Sequence, residues 1–130
     1  MADPTFDSPE ADALLLEVGS NILRDREFAD DYGKFRWEAL SVVVRINDHA
    51  IWMNGYGYSD TGRWEARTPR SDDLKDKIRR LRAVMQKPGE TAWQSCLIQL
   101  KRSDMALQID FEYDDVDRWF DMMPRELMPQ

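Results

Sequence analysis

Cysteine and histidine are almost missing from this chain. Its 130 residues include one of each, Cys96 and His49. A lone cysteine makes no internal disulfide, so the sequence reads as a protein of a reducing compartment. One His and one Cys do not amount to a zinc site, which takes three or four such ligands. Long apolar runs are missing as well. Ala13-Leu14-Leu15-Leu16 and Val42-Val43-Val44 are typical of the longest, far short of the ~18 residues a membrane span needs. The start, Met1-Ala2-Asp3-Pro4, has no basic stretch leading into an apolar one and does not read as a signal peptide. The expectation is a cytoplasmic protein without membrane association. Positive charge is the minority sign: 18 Lys and Arg stand against 25 Asp and Glu, for a net charge of −7. Phosphate backbones need clustered Lys and Arg, so nucleic acid is disfavoured as the direct ligand. A basic protein partner is favoured, because complementary fields steer encounter.

What is present suits one folded domain over 1–130. Hydrophobic residues make up 42% of the chain, enough to build a core without staples. Residues 1–8 read as a loose polar leader. Ser8-Pro9-Glu10 is a helix start, and Leu15, Val18 and Ile22 then recur at helical spacing, which predicts a helix over 9–25. Gly19 weakens it by about 1 kcal/mol relative to Ala. Leu40, Val42, Val44 and Ile46 alternate with other residues as a half-buried strand does. Turns at Asn47-Asp48-His49 and Asp60-Thr61-Gly62 bound a second strand, Ile51–Tyr58, and a short third one, Arg63–Arg67. Ser71-Asp72-Asp73 opens a second helix with the stripe Leu74, Ile78, Leu81, Met85, and Lys87-Pro88-Gly89 ends it. A fourth strand is predicted over Ala92–Lys101. A fifth carries Met105, Leu107, Ile109, Phe111 and Tyr113 on one face and an increasingly acidic opposite face. The tail from Val116 packs or frays, with 120–130 the more flexible part. The order α-β-β-β-α-β-β implies an α+β two-layer sandwich, an antiparallel sheet of about five strands with two helices on one face.

Motifs for catalysis are scarce. Cys96 lies on an apolar strand face and His49 in a turn, so a Cys–His pair has nothing in the spacing to support it. Gly55-Tyr56-Gly57-Tyr58 lacks the Lys and the helix start of a phosphate loop. Asp110, Glu112, Asp114, Asp115 and Asp117 gather carboxylates without the glycine turn and terminal Glu of a calcium loop, so neither metal nor cofactor is expected. Asp110 and Glu112 sit two apart on one strand face, about 7 Å along the strand. That spacing suits a glycosidase pair, and equally the solvated face of an edge strand. Lys75, Lys77, Arg79, Arg80 and Arg82 read as a solvated helix face, because Asp72, Asp73 and Asp76 are interspersed among them. No enzymatic activity is expected.

Aromatic residues are the excess: five Trp and four Tyr in a small chain. Such residues beside carboxylates have the composition of a protein-recognition hot spot, and also of a minor cluster covering an open sheet face. Two segments resemble the YezG-like family of bacterial immunity proteins. One is Gly55-Tyr56-Gly57-Tyr58-Ser59-Asp60-Thr61-Gly62. The other runs from Trp93 through Cys96-Leu97-Ile98-Gln99 and Ile109-Asp110-Phe111-Glu112-Tyr113-Asp114-Asp115 to Arg118-Trp119. The resemblance spans about residues 35–120 and implies a small cytoplasmic antitoxin that binds a cognate secreted toxin, often a nuclease with a basic cleft. Family members share no fixed active site. The partner-binding candidates are therefore chosen by chemistry: Asp110, Glu112, Asp114, Asp115 and Asp117 for charge, with Trp37, Tyr56, Tyr58 and Trp119 as anchors. A non-inhibitory adaptor or chaperone for a secreted effector is the alternative, and a homodimer through an open edge is compatible with the pattern.

Overall fold

The computed structural model describes residues 8–130, so the expected leader lies outside the described residues except for Ser8. Ser8 caps α1 (Pro9–Arg24): its hydroxyl accepts the Ala11 amide at 3.1 Å. Ser71 does the same for α2 (Asp72–Met85), accepting the Leu74 amide at 3.1 Å. Between the helices come β1 (Ala39–Ile46), β2 (Ile51–Tyr58) and β3 (Trp64–Ala66); after α2 come β4 (Ser95–Lys101) and β5 (Leu107–Glu112). The strands form one antiparallel sheet in the order β3-β2-β1-β4-β5. The element order and the α+β architecture are those the periodicity predicts.

Register explains which residues meet. Val42 pairs with Gly55 on one side and Ile98 on the other, and Ile98 pairs with Ile109. Leu40, Val42, Val44 and Ile46 of β1 share a face with Cys96, Ile98 and Leu100 of β4, and both helices pack there through Leu14, Val18, Ile22, Leu74, Ile78 and Leu81. Gly19 has a packing reason: a Cβ there would lie 3.3 Å from a Leu107 methyl, so the glycine lets α1 settle onto β5.

The opposite face is also covered, and this was undecided in the sequence. The chain after β5 folds back across the sheet, and its Trp119 and Leu127 pack on Val43 and Leu97. Polar ties hold it. Arg45 on β1 reaches Asp117 at 2.7 Å, Tyr58 donates to the Pro124 carbonyl at 2.5 Å, and Gln99 donates to the Leu127 carbonyl at 2.8 Å. The tail therefore packs, ending in a short 3-10 turn at Pro124–Leu127.

The fifth strand is shorter than its alternation suggests. Met105 takes a left-handed backbone (φ 51°) in the β4–β5 turn and is 49% exposed, and Tyr113 lies beyond the strand and is also exposed. Arg67 holds the loop that follows α1. Its side chain is fully buried and donates to the carbonyls of Glu27, Tyr32 and Phe35, with Glu65 Oε2 at 2.9 Å from Nη2. Gly57 makes room for it, since a Cβ there would meet Arg67 Cδ at 2.7 Å.

Candidate functional site

The carboxylates expected to act together are used in different ways. Glu112 is an internal cap: its Oε2 accepts the Asp114 and Asp115 amides at 3.2 Å each, and its Oε1 accepts Arg118 at 3.2 Å. The two amides and then the guanidinium hold its carboxyl below the usual range. A general acid at neutral pH needs the opposite shift, so Glu112 is poorly suited to that half of a glycosidase pair. Asp117 is tied to Arg45. Asp110, Asp114 and Asp115 remain exposed, with Asp110 on β5 and the other two in the turn after it.

The four aromatic candidates divide by burial. Trp37 is 2% exposed on the helix-covered side, stacked edge-on against Phe28 with its indole N–H donating to the Phe28 carbonyl at 2.8 Å. Tyr58 is fully buried and Trp119 is 3% exposed, both beneath or within the C-terminal cover. Burial pushes the Tyr58 hydroxyl up to about 12. These three are packing residues in this fold and do not present a surface to a partner. Tyr56 is half-buried and stacks edge-on with Trp64 at 5.8 Å.

The exposed aromatics are ones the sequence left unassigned. Trp52 and Trp64 are 43% and 46% exposed, and Met123 on the cover is 65% exposed. Period-two geometry places Trp52, Asn54 and Tyr56 on the same sheet face as Val43, Leu97, Asp110 and Glu112. A cleft of about 370 Å³ lies between Trp64 and Met123–Glu126. Arg45 lies over the Trp52 ring at 4.9 Å and the Phe120 ring at 5.9 Å, linking this row to the cover. The face thus has three parts: an aromatic and methionine row on β2 and β3, the cover over the middle, and exposed carboxylates at β5. Three strand spacings, roughly 14 Å, separate the two flanks.

Other candidate chemistry is accounted for structurally. Cys96 is 1% exposed, and burial raises its thiol far above the ordinary value, so it is not a thiolate at neutral pH; His49 sits in the exposed β1–β2 turn. On α2, Lys77 pairs with Glu17 and Asp73, Arg79 with Asp76, Arg80 with Glu10 and Arg82 with Asp48, all within 3.7 Å. The basic helix face is thereby locally neutralised. Gly55 and Gly57 serve packing: a Cβ on Gly55 would lie 2.1 Å from the Arg67 carbonyl oxygen. Among the described residues no group of three or more His, Cys, Asp or Glu is placed to hold a metal ion, and no helix is long and apolar enough to cross a membrane.

No protein-family model matches the chain, and no curated protein matches it either. The segment from Ile109 to Trp119 has a structural role of its own. Glu112 caps the turn at Asp114-Asp115, the Arg118 amide donates to the Asp115 carbonyl at 3.1 Å, and the Arg118 guanidinium lies 5.0 Å from the Trp119 ring. The segment is the device that turns the chain out of β5 and seats Trp119 on the sheet.

Proposed function

We propose that this protein acts by binding another protein, as an immunity protein that neutralises a cognate bacterial toxin stoichiometrically in the cytoplasm of the producing cell. One observation carries the reading: exposed Trp52, Trp64 and Met123 stand on the same sheet face as the unneutralised Asp110. Large aromatic and methionine side chains supply contact area that gains most from leaving water. Carboxylates on the flank attract a basic partner and set its orientation. The net charge of −7 acts in the same direction. A nuclease with a basic cleft is the partner class that fits this chemistry, and the resemblance to YezG-like proteins supports the same assignment.

The test is a pull-down of the tagged chain from cells expressing the neighbouring open reading frame, paired with growth rescue. A stoichiometric complex with a toxic protein, together with rescue, supports immunity. A complex without rescue transfers the reading to an adaptor or chaperone. No complex and no rescue removes the proposal. Once a partner is in hand, the double change Trp52→Ala and Trp64→Ala is expected to weaken the complex at least about tenfold while the free chain keeps its far-UV spectrum.

A further inference from the structure

Asp12, Leu16, Ser20 and Arg24 follow one another at intervals of four along the outward side of α1. That spacing makes them one ridge on the helix surface. Leu16 is 73% exposed, the most open large apolar side chain among the described residues. The ends of the ridge carry opposite charges. Arg24 donates to the Ser20 hydroxyl, and among the described residues neither Arg24 nor Asp12 has an ion-pair partner. The helix's other acids turn away from the ridge: Glu10 pairs with Arg80 and Glu17 with Lys77, both on α2. A groove of about 340 Å³ runs beside the ridge, lined by Leu16, Gly19, Ser20 and Leu23 of α1 and by Met105 and Leu107.

This ridge is complementary to itself. Turned about a two-fold axis at the level of Val18, it meets its own copy running antiparallel. Asp12 then faces Arg24 of the second copy, Leu16 faces Ser20, and each pairing occurs twice, as an isologous contact requires. A large side chain falls opposite a small one, so Leu16 of one copy enters the groove beside Ser20 of the other. Two such ridges pack side by side when the helices cross at about 50°. We propose that this face of α1 binds a second copy of the chain in an antiparallel two-fold dimer. Charge decides against other occupants: a uniformly basic partner meets Arg24 as a like charge, and a uniformly acidic one meets Asp12. The repulsion between two chains of net charge −7 is screened beyond about 8 Å at physiological salt, whereas the ridge pairs are in contact. A strip roughly 24 Å long and 10 Å wide is well short of the ~800 Å² per partner of a standard interface. The dimer is therefore concentration-dependent, with a Kd between about 10 μM and 1 mM. It forms on the helix layer, across the sheet from Trp52 and Trp64, so it leaves that row open and does not depend on what binds there.

Sedimentation equilibrium of the full chain between about 1 μM and 1 mM is the test. The mass is expected to rise from one chain toward two across that range. Leu16→Arg, at an exposed position compatible with folding, is expected to weaken association about tenfold or more with an unchanged far-UV spectrum. Charge reversal tests the antiparallel pairing itself. Asp12→Lys puts bases at both ends of the ridge, and Arg24→Glu puts acids at both. Each variant alone is expected to stay monomeric at concentrations where the wild type dimerises. An equimolar mixture of the two is expected to dimerise, because every contact is then between opposite charges, and so is the chain carrying both changes. A wild type that is monomeric at about 1 mM would overturn the proposal. So would a dimer that Leu16→Arg leaves unchanged, which would place the contact elsewhere, and so would a mixture of the two charge variants that remains monomeric.

Discussion

Replacing Trp119 with Ala separates a core residue from a surface anchor. Trp119 is 3% exposed and packs with Val43, Leu97 and Leu127. A buried Trp takes roughly 200 Å² out of water, which at about 25 cal/mol per Å² is ~5 kcal/mol. Large-to-small series place Trp→Ala at about 3–5 kcal/mol. The C-terminal cover is a single layer on one face and can collapse partly into the gap, so the lower end, about 3 kcal/mol, is expected here. At roughly 4 °C per kcal/mol for a domain of this size, the midpoint temperature should fall by ~12 °C. Urea unfolding followed by far-UV circular dichroism measures this without interference from the other tryptophans. Trp52→Ala is the matched control: on the same face but 43% exposed, it should cost less than about 1 kcal/mol. A Trp119→Ala protein as stable as the Trp52→Ala one would refute the packing assignment and return Trp119 to the surface.

Four further predictions follow from particular contacts. Gly57→Ala forces a Cβ to within 2.7 Å of Arg67 Cδ, and the Arg67 guanidinium, fixed by three carbonyls, cannot swing aside, so a loss of about 1–3 kcal/mol is expected in urea melts. Gly55→Ala, whose Cβ meets the Arg67 backbone oxygen at 2.1 Å, should be worse and show as poor soluble yield. Glu112 has a folded pKa below its unfolded value, so its contribution is present above the ordinary Glu pKa of about 4.3 and lost as pH falls through the lower folded value. Glu112→Gln should therefore flatten the stability profile on the acid side; an unchanged acid limb would mean the cap has no energetic role. Tyr58→Phe removes bonds to Ser41 and to the Pro124 carbonyl and should cost about 1–3 kcal/mol near neutral pH. Because Tyr58 is raised to about 12, the wild type should also lose stability as pH climbs from about 10 toward that value. The Phe variant should lack that step in alkaline melts.

Local signals carried most of the fold. The Ser8 and Ser71 caps, the Leu74-Ile78-Leu81 stripe and the alternation through β1 are all written within a few residues of where they act. Signals failed where the chain changes direction without changing its pattern. Apolar alternation runs straight through Met105, but a left-handed residue there ends the ladder, and alternation alone cannot register a sign change in φ. Arg67 was missed for a related reason. Its burial depends on a loop 32 to 40 residues earlier supplying three carbonyls, and only the Gly-x-Gly spacing on β2 hints that a large side chain must lie across that strand.

The aromatic surplus shows why the site was harder to read than the fold. Period two correctly groups Trp52, Tyr56 and Tyr58 on one strand face, and it says nothing of what lies above them. That is set by the segment after β5, more than 60 residues later in the chain: Pro124 receives the Tyr58 hydroxyl, and Asp117 receives Arg45. The same face therefore grades from Tyr58, fully buried, through half-buried Tyr56 to Trp52 and Trp64, nearly half exposed. The two readings of the surplus divide by residue along that gradient. Where the cover lies, the aromatics close the sheet and hold the fold. Beyond its edge the same chemistry is left facing solvent, across the same sheet face from the exposed carboxylates of β5, and a partner that extended the cover outward would bury the side chains the chain itself leaves open.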